Sequence, residues 1–397
     1  MTSAPPPALR DAFALQTLEY FRARTGADAT HLVYAPGRVN VIGEHTDYNG
    51  GFVLPMAIEL GVYIAARPRA DRRVRAWSLQ LEGPPAEFDA GDQTRPTTHS
   101  WSNYLRGVIA GLYEAGLETP GFDAVIHASL PAGGGLSSSA ALEIATATLG
   151  EALTGRKLDP EQKALLCQKA EHVFAGMPCG IMDQFAVTFG RQGHLLLLDC
   201  QSQQRRLVPM NGADTTLLVI NTMVKHELTD GGYASRRDDC HEAARLLGVK
   251  ELRDVTVAQV HAAEVRLPAR LYRRARHVVT ENARTLAAVD AIQRGAWPEV
   301  GRLMYASHAS LRNDFEVSCA ELDLVVETAG ALGVGGGVYG CRMTGGGFGG
   351  CCVALVRTAD AAKVEQVIAE TYRQKINLEP NIFATRPADG PAVLLEP

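Results

Sequence analysis

A run of three glycines and three serines at residues 133–139 (GGGLSSS) has the composition of a binding site for phosphate. Glycine lets the backbone approach a ligand closely, and a helix that starts beside it offers unpaired N–H groups and the positive end of its dipole. These properties together favour an anion site, and we expect a nucleotide phosphate there. A helix N-cap is the alternative, because serine caps helices and turns favour glycine. The run has no lysine of the Walker A type, so positive charge must come from elsewhere.

Five polar side chains lie close together near the start of the chain: Arg38, Glu44, His45, Asp47 and Asn49. Carboxylates accept hydrogen bonds from hydroxyls, and histidine accepts or donates them, so this cluster predicts a site for a hydroxyl-rich ligand. A metal site with Glu44, His45 and Asp47 as ligands is the alternative. These three residues lie too close together in sequence to converge easily on one ion, so we favour the hydroxyl-rich ligand.

One carboxylate, Asp183, interrupts an apolar segment that follows a Pro and Gly break at residues 176–180. Near the start of a helix, such a carboxylate is either a partner of the helix dipole or a base poised for proton transfer. The sequence leaves these two interpretations open.

The glycine–serine run lies between a predicted strand and a predicted helix. Residues 124–130 alternate apolar and other side chains with the period of a half-buried strand. Residues 140–153 are rich in Ala, Leu and Ile, which favours a helix. A short strand is also predicted at residues 31–34, and Pro36 and Gly37 after it predict a turn.

Two further predicted helices carry polar residues, at residues 159–174 with Glu171 and at residues 233–247. The most glycine-rich segment, residues 333–350, contains two G-x-G-x-x-G matches. Neither is a dinucleotide fingerprint, because the second runs into an apolar strand rather than a helix. We predict instead a glycine hairpin that closes against a bound ligand. Thr358 is predicted to cap the helix that follows.

The composition is that of an ordinary globular protein, with 46% apolar and 21% charged residues. A chain of 397 residues is longer than a domain with a single hydrophobic core usually is, so we expect two domains, at residues 1–205 and 206–397. The net charge of −5 argues against general binding to nucleic acid or to an anionic membrane. We therefore expect small-molecule partners and a monomer.

The eight cysteines include no C-x-x-C pair and no histidine partner at zinc spacing. The first ten residues lack the features of a signal peptide, and the longest apolar stretch, residues 51–66, is too short to span a bilayer. A reducing, cytoplasmic location is the prediction.

Three stretches resemble, in order along the chain, the three signatures of the small-molecule kinases that include homoserine, mevalonate and galactose kinases. They are residues 35–51 (APGRVNVIGEHTDYNGG), 133–143 (GGGLSSSAALE) and 343–350 (MTGGGFGG). The first is similar to the galactokinase signature, and CGIMDQF at 179–185, YASRR at 233–237 and TENAR at 280–284 agree with that family as well. The resemblance spans nearly the whole chain.

This resemblance implies an α+β fold of two mixed α/β domains with the active site in the cleft between them. The N-terminal domain would be like the second domain of ribosomal protein S5, and the C-terminal domain ferredoxin-like. The implied reaction is phosphorylation of the C1 hydroxyl of galactose by ATP. Asp183 is implied as the catalytic base, with Arg38 as the cation beside it.

The resemblance also implies three sets of ligand contacts. Galactose would be bound by Arg38, Glu44, His45, Asp47, Gly180, Asp183 and Tyr233. The ATP phosphates would be bound by Gly133, Gly134, Gly135, Leu136, Ser137, Ser138 and Ser139, and Mg²⁺ by Ser139 and Glu171.

These implied roles agree with the chemistry of phosphoryl transfer, which depends on positioning and on neutralising charge. Without a loop lysine, Mg²⁺, the helix dipole and Arg38 must supply the positive charge. Arg38 would also favour the charged form of Asp183, since an adjacent cation stabilises a carboxylate. Whether Asp183 removes the sugar proton or mainly orients the hydroxyl stays open.

Two other functions remain as alternatives. An N-acetylgalactosamine kinase would differ in pocket volume near the sugar C2, which no residue reports clearly. A galactokinase-like sugar sensor that regulates transcription would lack two residues of the serine loop, whereas residues 137–141 (SSSAA) are complete here. Gly231 and Gly232 stand where polar or acidic residues are common in the family, which leaves the tolerance of galactose analogues open.

Overall fold

The computed structural model describes residues 12–94, 96, 98, 100–131, 135–210, 214–225 and 229–397. Its strands are β1 (His31–Asn40), β2 (Phe52–Val53), β3 (Pro55–Pro68), β4 (Arg73–Ser78), β5 (Ala86–Asp89), β6 (Phe122–Ala128), β7 (His194–Asp199), β8 (Arg205–Pro209), β9 (Thr215–Lys225), β10 (Val338–Thr344), β11 (Gly349–Arg357), β12 (Asn381–Thr385) and β13 (Ala392–Leu395).

Its α-helices are α1 (Ala12–Thr25), α2 (Ser102–Glu114), α3 (Ser138–Thr154), α4 (Pro160–Ala170), α5 (Met182–Thr188), α6 (Thr229–Leu247), α7 (Val257–Ala262), α8 (Ala269–Gln293), α9 (Trp297–Ser310), α10 (Ala320–Leu332) and α11 (Ala361–Ile376). Two helical ends continue as π-helical turns, at Glu171–Ala175 and Leu311–Phe315. Short 3₁₀ turns lie at Asp47–Asn49, Leu252–Asp254, Val334–Gly336 and Thr358–Asp360.

A six-stranded sheet with the order β13-β1-β3-β6-β4-β5 supports the region of the glycine–serine run. Its neighbouring strands are antiparallel except for β4 and β6, which run parallel. Apolar side chains of the sheet, such as Val33 and Ile64, share one core with Ile144 of α3. The strand and helix predicted on either side of the glycine–serine run are therefore confirmed, and each is packed against the same core.

Strand β1 is longer than predicted, because it continues through Pro36 and Gly37 to Asn40. The prediction of a turn at these two residues was wrong. A β-bulge between Pro36 and Arg38 takes up the irregular residues without ending the strand. Gly37 is needed there because a Cβ at this position would lie 2.8 Å from the carbonyl oxygen of Leu136. The bulge thus brings Arg38 against the start of α3, and the Arg38 N–H donates to the Leu136 carbonyl at 3.1 Å.

A four-stranded sheet has the order β10-β11-β9-β12, and its strands β9, β10 and β11 are largely buried on both faces. Along β9, Leu217 and Val219 face the first core, whereas Leu218 and Ile220 face a second core formed with the C-terminal helices. Burial on both faces explains why these strands are continuous apolar runs rather than alternating ones. The predicted glycine hairpin is present, because β10 and β11 pair antiparallel across residues 345–348.

The division of the chain after residue 205 stays a prediction, and two strand pairings bear on it. Strand β8 begins at Arg205 and pairs with β7, which itself pairs with β2 in a small three-stranded sheet. Strand β13 returns from the far end of the chain to pair with β1, with Val393 opposite Val33. The six-stranded sheet is therefore built from both halves of the sequence.

The predicted cap at Thr358 was wrong, because α11 starts after Asp360 and the Thr358 hydroxyl hydrogen-bonds instead with that of Thr216 at 3.0 Å. All eight cysteines are free thiols. Among the described residues, none of the helices has the length and apolar character needed to cross a lipid bilayer.

Candidate active site

A cavity of about 400 Å³ lies where the segment after β1, the start of α3, the start of α5 and the β10–β11 hairpin meet. It is lined by Arg38, Glu44, His45, Asp47, Gly135, Leu136, Ser137, Ser138, Ser139, Glu171, Asp183, Tyr233 and the residues of the hairpin turn. Gly180 lies beside it, next to Asp47. Gly133 and Gly134 lie outside the described residues. The remaining residues predicted to bind ligands are thus gathered around one cavity.

The Asp183 carboxylate is held by Arg38 through two parallel hydrogen bonds. Arg38 Nε donates to Asp183 Oδ1 and Nη2 donates to Oδ2, each at 2.7 Å, and Nη1 donates to the Gly135 carbonyl at 2.7 Å. The arginine is almost fully buried, whereas the Asp183 side chain keeps 21% exposure to the cavity. A bidentate arginine fixes both the position and the orientation of a carboxylate. Asp183 is therefore bound to a specific cation rather than only paired with the dipole of its own helix.

The serines at the start of α3 do not act as helix caps. Ser137 occupies the N-cap position, but its side chain accepts no hydrogen bond from the helix. Its hydroxyl donates instead to Asp183 Oδ2 at 2.5 Å. Ser138 is exposed and Ser139 half-buried at the cavity wall, so the first turn of α3 presents its N–H groups and two hydroxyls to the cavity.

Glu44 is buried and almost fully hydrogen-bonded within the protein. Its Oε1 accepts from the Thr344 hydroxyl at 2.8 Å and from the Gly345 N–H at 2.9 Å, and Oε2 accepts from the Asn40 amide at 2.9 Å. Arg342 Nη1 lies 3.4 Å from Oε1. Glu44 therefore ties the segment after β1 to the first residues of the β10–β11 hairpin, besides lining the cavity.

His45 is a neutral, buried imidazole with one nitrogen still available. Burial lowers its pKa to about 3, and the nearby His277 adds to this effect. Nδ1 lies 2.8 Å from the Tyr48 hydroxyl, whereas Nε2 is buried near the backbone of Gly346 and has no partner with full hydrogen-bond geometry among the described residues. A buried polar atom without a partner is costly, so a ligand hydroxyl at Nε2 would be stabilising.

Asp47 lies against Gly180 in a half-buried position. Burial raises the pKa of Asp47 to about 7, and the Asp183 carboxylate raises it further in the same direction. A Cβ on residue 180 would lie 1.8 Å from Asp47 Oδ2, so only glycine leaves room for this carboxylate. Among the described residues there is no cluster of three or more His, Cys, Asp or Glu that could hold a metal ion, so Glu44, His45 and Asp47 are not grouped as a set of metal ligands.

Tyr233 closes the same side of the cavity. Its ring lies 5.6 Å from that of His45 and 5.3 Å from that of Tyr48, measured between centroids. Burial raises its pKa well above the ordinary value, so its hydroxyl keeps its proton and can donate it in a hydrogen bond.

Two further carboxylates, Glu171 and Glu143, lie near the serines at the start of α3. The side-chain amide of Gln184 bridges them, with Nε2 at 2.7 Å from Glu171 Oε2 and 3.0 Å from Glu143 Oε2. Burial raises the pKa of both groups, and Glu171 adds to the effect on Glu143. The Ser139 side chain lies near enough to Glu171 to lower the pKa of this carboxyl, so a hydroxyl and a carboxylate from different elements are neighbours at the cavity wall.

Two buried charged residues that support this site were not predicted from the sequence. Arg342 is fully buried on β10 and donates to the Ser307 hydroxyl and to the carbonyls of Asn40 and Val41. Glu281, within the TENAR stretch, accepts from the Gly43 N–H at 3.0 Å and from the Ser307 hydroxyl. A lone arginine inside an apolar strand is the signal that could have revealed Arg342, because a buried charge requires a partner.

Family comparisons match three separate parts of the chain. The galactokinase galactose-binding signature matches residues 19–68, the N-terminal domain of GHMP kinases matches residues 103–191, and the C-terminal domain of GHMP kinases matches residues 288–374. These parts contain the segment after β1, the start of α3 and the β10–β11 hairpin, which together form most of the cavity wall.

Individual proteins are similar over nearly the full length. Human galactokinase is 45% identical over 384 residues, which cover 94% of this chain and 95% of that protein. Galactokinase of Roseiflexus sp. is 42% identical, with 94% and 95% covered. The crystal structure of Lactococcus lactis galactokinase complexed with galactose has a TM-score of 0.91 at 34% identity, over 95% of this chain and 99% of that one. Mevalonate kinase of Methanococcus jannaschii, at 18% identity and a TM-score of 0.65, shares the fold.

Proposed function

The chain belongs to the galactokinase family of GHMP kinases, and from this membership we propose that it transfers the γ-phosphoryl group of ATP to the C1 hydroxyl of galactose. The products are galactose 1-phosphate and ADP. In this transfer the C1 oxygen forms a bond to the γ-phosphorus, the bond from that phosphorus to the bridging oxygen of ADP breaks, and the hydroxyl proton leaves to a base. The residues of the cavity supply groups suited to each of these requirements.

The observation that carries this function is the Arg38–Asp183 pair at the cavity wall. Asp183 is proposed to accept the proton of the C1 hydroxyl, since it is the carboxylate at the cavity wall that a cation holds on both oxygens. The guanidinium of Arg38 would keep this carboxylate oriented, and its positive charge would also stabilise the charge that spreads over the transferred phosphoryl group.

The galactose contacts are proposed to come from Glu44, His45, Asp47, Gly180 and Tyr233, together with the Arg38–Asp183 pair. His45 Nε2 and the Tyr233 hydroxyl can each bind a sugar hydroxyl. The Asp47 carboxylate accepts hydrogen bonds from sugar hydroxyls once it is ionised. Gly180 would serve through its small size, which leaves room for Asp47.

The ATP phosphates are proposed to bind over residues 133–139, where the N–H groups at the start of α3 and the Ser138 hydroxyl face the cavity. A helix N-terminus binds anions through its unpaired N–H groups and its dipole. This mode needs no lysine, which accounts for the absence of one from the loop.

Ser139 and Glu171 fit a magnesium ion that arrives with the nucleotide. Mg²⁺ prefers oxygen ligands and is commonly held by one or two protein groups together with phosphates and water. The Ser139 hydroxyl and the Glu171 carboxylate supply oxygen ligands, and both line the cavity wall next to the proposed phosphate site. When bound, the ion neutralises phosphate charge. Gln184 would orient Glu171 for this role, because its amide donates to one carboxylate oxygen.

We further propose that the protein acts in the cytoplasm as a monomer, as a net charge of −5 and eight free thiols favour. Light scattering on the purified protein would measure the mass of the particle, and a dimer would contradict the monomer proposal.

The proposed activity is tested by following ADP release from purified protein with Mg·ATP and each of several hexoses. We expect ADP release that depends on galactose and stops when the metal is chelated. Comparing galactose with N-acetylgalactosamine in the same assay decides between the two sugar kinases. ATP and galactose binding without any ADP release would indicate a sensor instead.

A further inference from the structure

Ser137 has a backbone conformation that serine rarely adopts. Its φ of 59° and ψ of 49° lie in the left-handed region, although it stands at the N-cap of α3, where serine normally has extended angles and accepts a hydrogen bond from the helix. A residue with a Cβ pays roughly 1–2 kcal/mol in this region. Neither the cap nor the backbone therefore explains why a serine, rather than glycine, stands here.

The hydroxyl of Ser137 explains the choice, because it is directed at the proposed base. Ser137 is 8% exposed, and its Oγ donates to Asp183 Oδ2 at 2.5 Å. Its two neighbours differ in this respect: Ser138 is exposed, and Ser139 is half-buried near Glu171. The three serines of the loop therefore have three separate surroundings.

The three donors to Asp183 are distributed unequally over its two oxygens. Within the described part of the chain, Oδ2 accepts from Arg38 Nη2 and from Ser137 Oγ, whereas Oδ1 accepts only from Arg38 Nε. A carboxylate oxygen has about two lone-pair sites. Oδ2 is therefore saturated, and the remaining acceptor site of this carboxylate is on Oδ1.

We propose that Ser137 is a positioning residue for Asp183, whose hydroxyl saturates Oδ2 and leaves Oδ1 as the oxygen that receives the proton of the sugar hydroxyl. This inference rests on the proposed function, in which Asp183 is the base. It separates Ser137 from the other serines, which serve the phosphates and the metal. The left-handed backbone is the conformation in which the residue before α3 directs its side chain at Asp183 instead of at its own helix.

Asp183 is faced by charged groups from several elements, which matters for the test. They are Arg38 of β1, Asp47 of the segment after β1, Glu143 of α3 and Glu171 of the π-helical turn. Ser137 carries no charge, so its removal leaves all four groups in place.

Ser137→Gly is the decisive variant, because glycine adopts the left-handed region without strain and removes only the hydroxymethyl group. A hydrogen bond to a charged group is worth enough to change a rate roughly 10- to 100-fold. We expect kcat to fall by this factor, with KM for ATP within about twofold of wild type.

Ser138→Ala is the matched comparison within the same loop, and it should raise KM for ATP without lowering kcat. The proposal is overturned if Ser137→Gly raises only KM for ATP while kcat stays unchanged, because Ser137 would then be a phosphate ligand. It is equally overturned if both variants lower kcat alike. Thermal unfolding verifies that each variant is folded.

The same measurements separate this inference from the proposed function. Wild-type protein that does not phosphorylate galactose would contradict the function itself. Wild-type activity with a Ser137→Gly variant of unchanged kcat would contradict only the role of Ser137.

Discussion

Gly180 and Asp47 are in such close contact that a Cβ on residue 180 would lie 1.8 Å from the Asp47 Oδ2 atom. Gly180 has no unusual φ, so the requirement for glycine at this position is one of space alone. The loop before α5 and the segment after β1 can approach each other only because this side chain is missing. The position of the Asp47 carboxylate therefore depends on a residue that itself has no functional group.

Gly180→Ala should displace Asp47 and weaken galactose binding. A displacement of about 1 Å in a positioning group can cost on the order of 10- to 100-fold in efficiency. We expect KM for galactose to rise by such a factor while KM for ATP stays near the wild-type value. Gly335→Ala is the control, because no atom lies within 4 Å of its added Cβ and its φ is not positive. Equal effects of both variants would contradict the contact.

Asp183→Ala should abolish turnover without preventing ATP binding. Loss of a general base costs typically 10²–10⁴-fold in rate. Removing this carboxylate also leaves the buried Arg38 without its partner, so Asp183→Asn, which keeps the side-chain volume, is measured beside it. Single-turnover rates measure the loss of phosphoryl transfer, and calorimetry measures whether ATP still binds. Normal turnover in either variant would contradict the proposal that Asp183 is the base.

Arg38→Met should lower kcat more than it changes the affinity for galactose. The guanidinium holds Asp183 with two hydrogen bonds and the Gly135 carbonyl with a third, so its loss disturbs both the base and the phosphate loop. Steady-state kinetics in both substrates separate the two effects. A loss confined to galactose affinity would count against a role in stabilising charge.

Arg342→Met should destabilise the whole protein, because Arg342 is fully buried and its loss breaks the buried ion pair with Glu44. Breaking a buried ion pair costs about 3–5 kcal/mol. Chemical unfolding measures this loss. The matched control is Arg245→Ala, which breaks the exposed pair with Glu242 and should change stability little. Similar results for the two variants would show that burial of the Arg342 pair is unimportant.

The stability of the ligand-free protein should depend on pH through Asp47. Its pKa of about 7 in the folded protein lies above the ordinary value near 3.8, so the folded state binds the proton more tightly than the unfolded state. The stabilisation that Asp47 adds to the free energy of unfolding is therefore fully present below about pH 4, and it is lost as pH rises through about 7. Asp47→Asn removes this dependence.

The measurement is the difference in melting temperature between wild type and Asp47→Asn across this range. We expect the melting temperature of the wild type to fall steadily relative to that of the variant from pH 4 to pH 7. Above pH 8 the difference between the two melting temperatures should stay constant. A constant difference over the whole range would mean that Asp47 titrates normally.

Much of this site could be predicted from sequence because its residues lie in short, continuous segments. Arg38, Glu44, His45 and Asp47 occur within ten residues, and the glycine–serine run stands between an alternating strand and a helix. Local patterns of this kind determine local structure, and most of the predicted residues do line one cavity.

What could not be predicted depends on contacts between distant segments. Pro36 and Gly37 predicted a turn, yet pairing with β3 keeps them within a bulged strand. The partner of Ser137 lies 46 residues away, and that of Glu44 on β10 lies 298 residues away. Sequence spacing gives no information about such pairs, because they are fixed only when sheets and helices pack.

Strand β13 adds a constraint on how the protein is made. Val33 pairs with Val393, so the two partners leave the ribosome about 360 residues apart. At roughly 5–20 residues per second, β1 would wait roughly 20–70 s for this partner. During that time one edge of the sheet that carries Arg38 offers unpaired backbone groups, which are sites for aggregation. The nascent chain therefore has a period in which dependence on chaperones should be greatest, and it ends only when β13 is added.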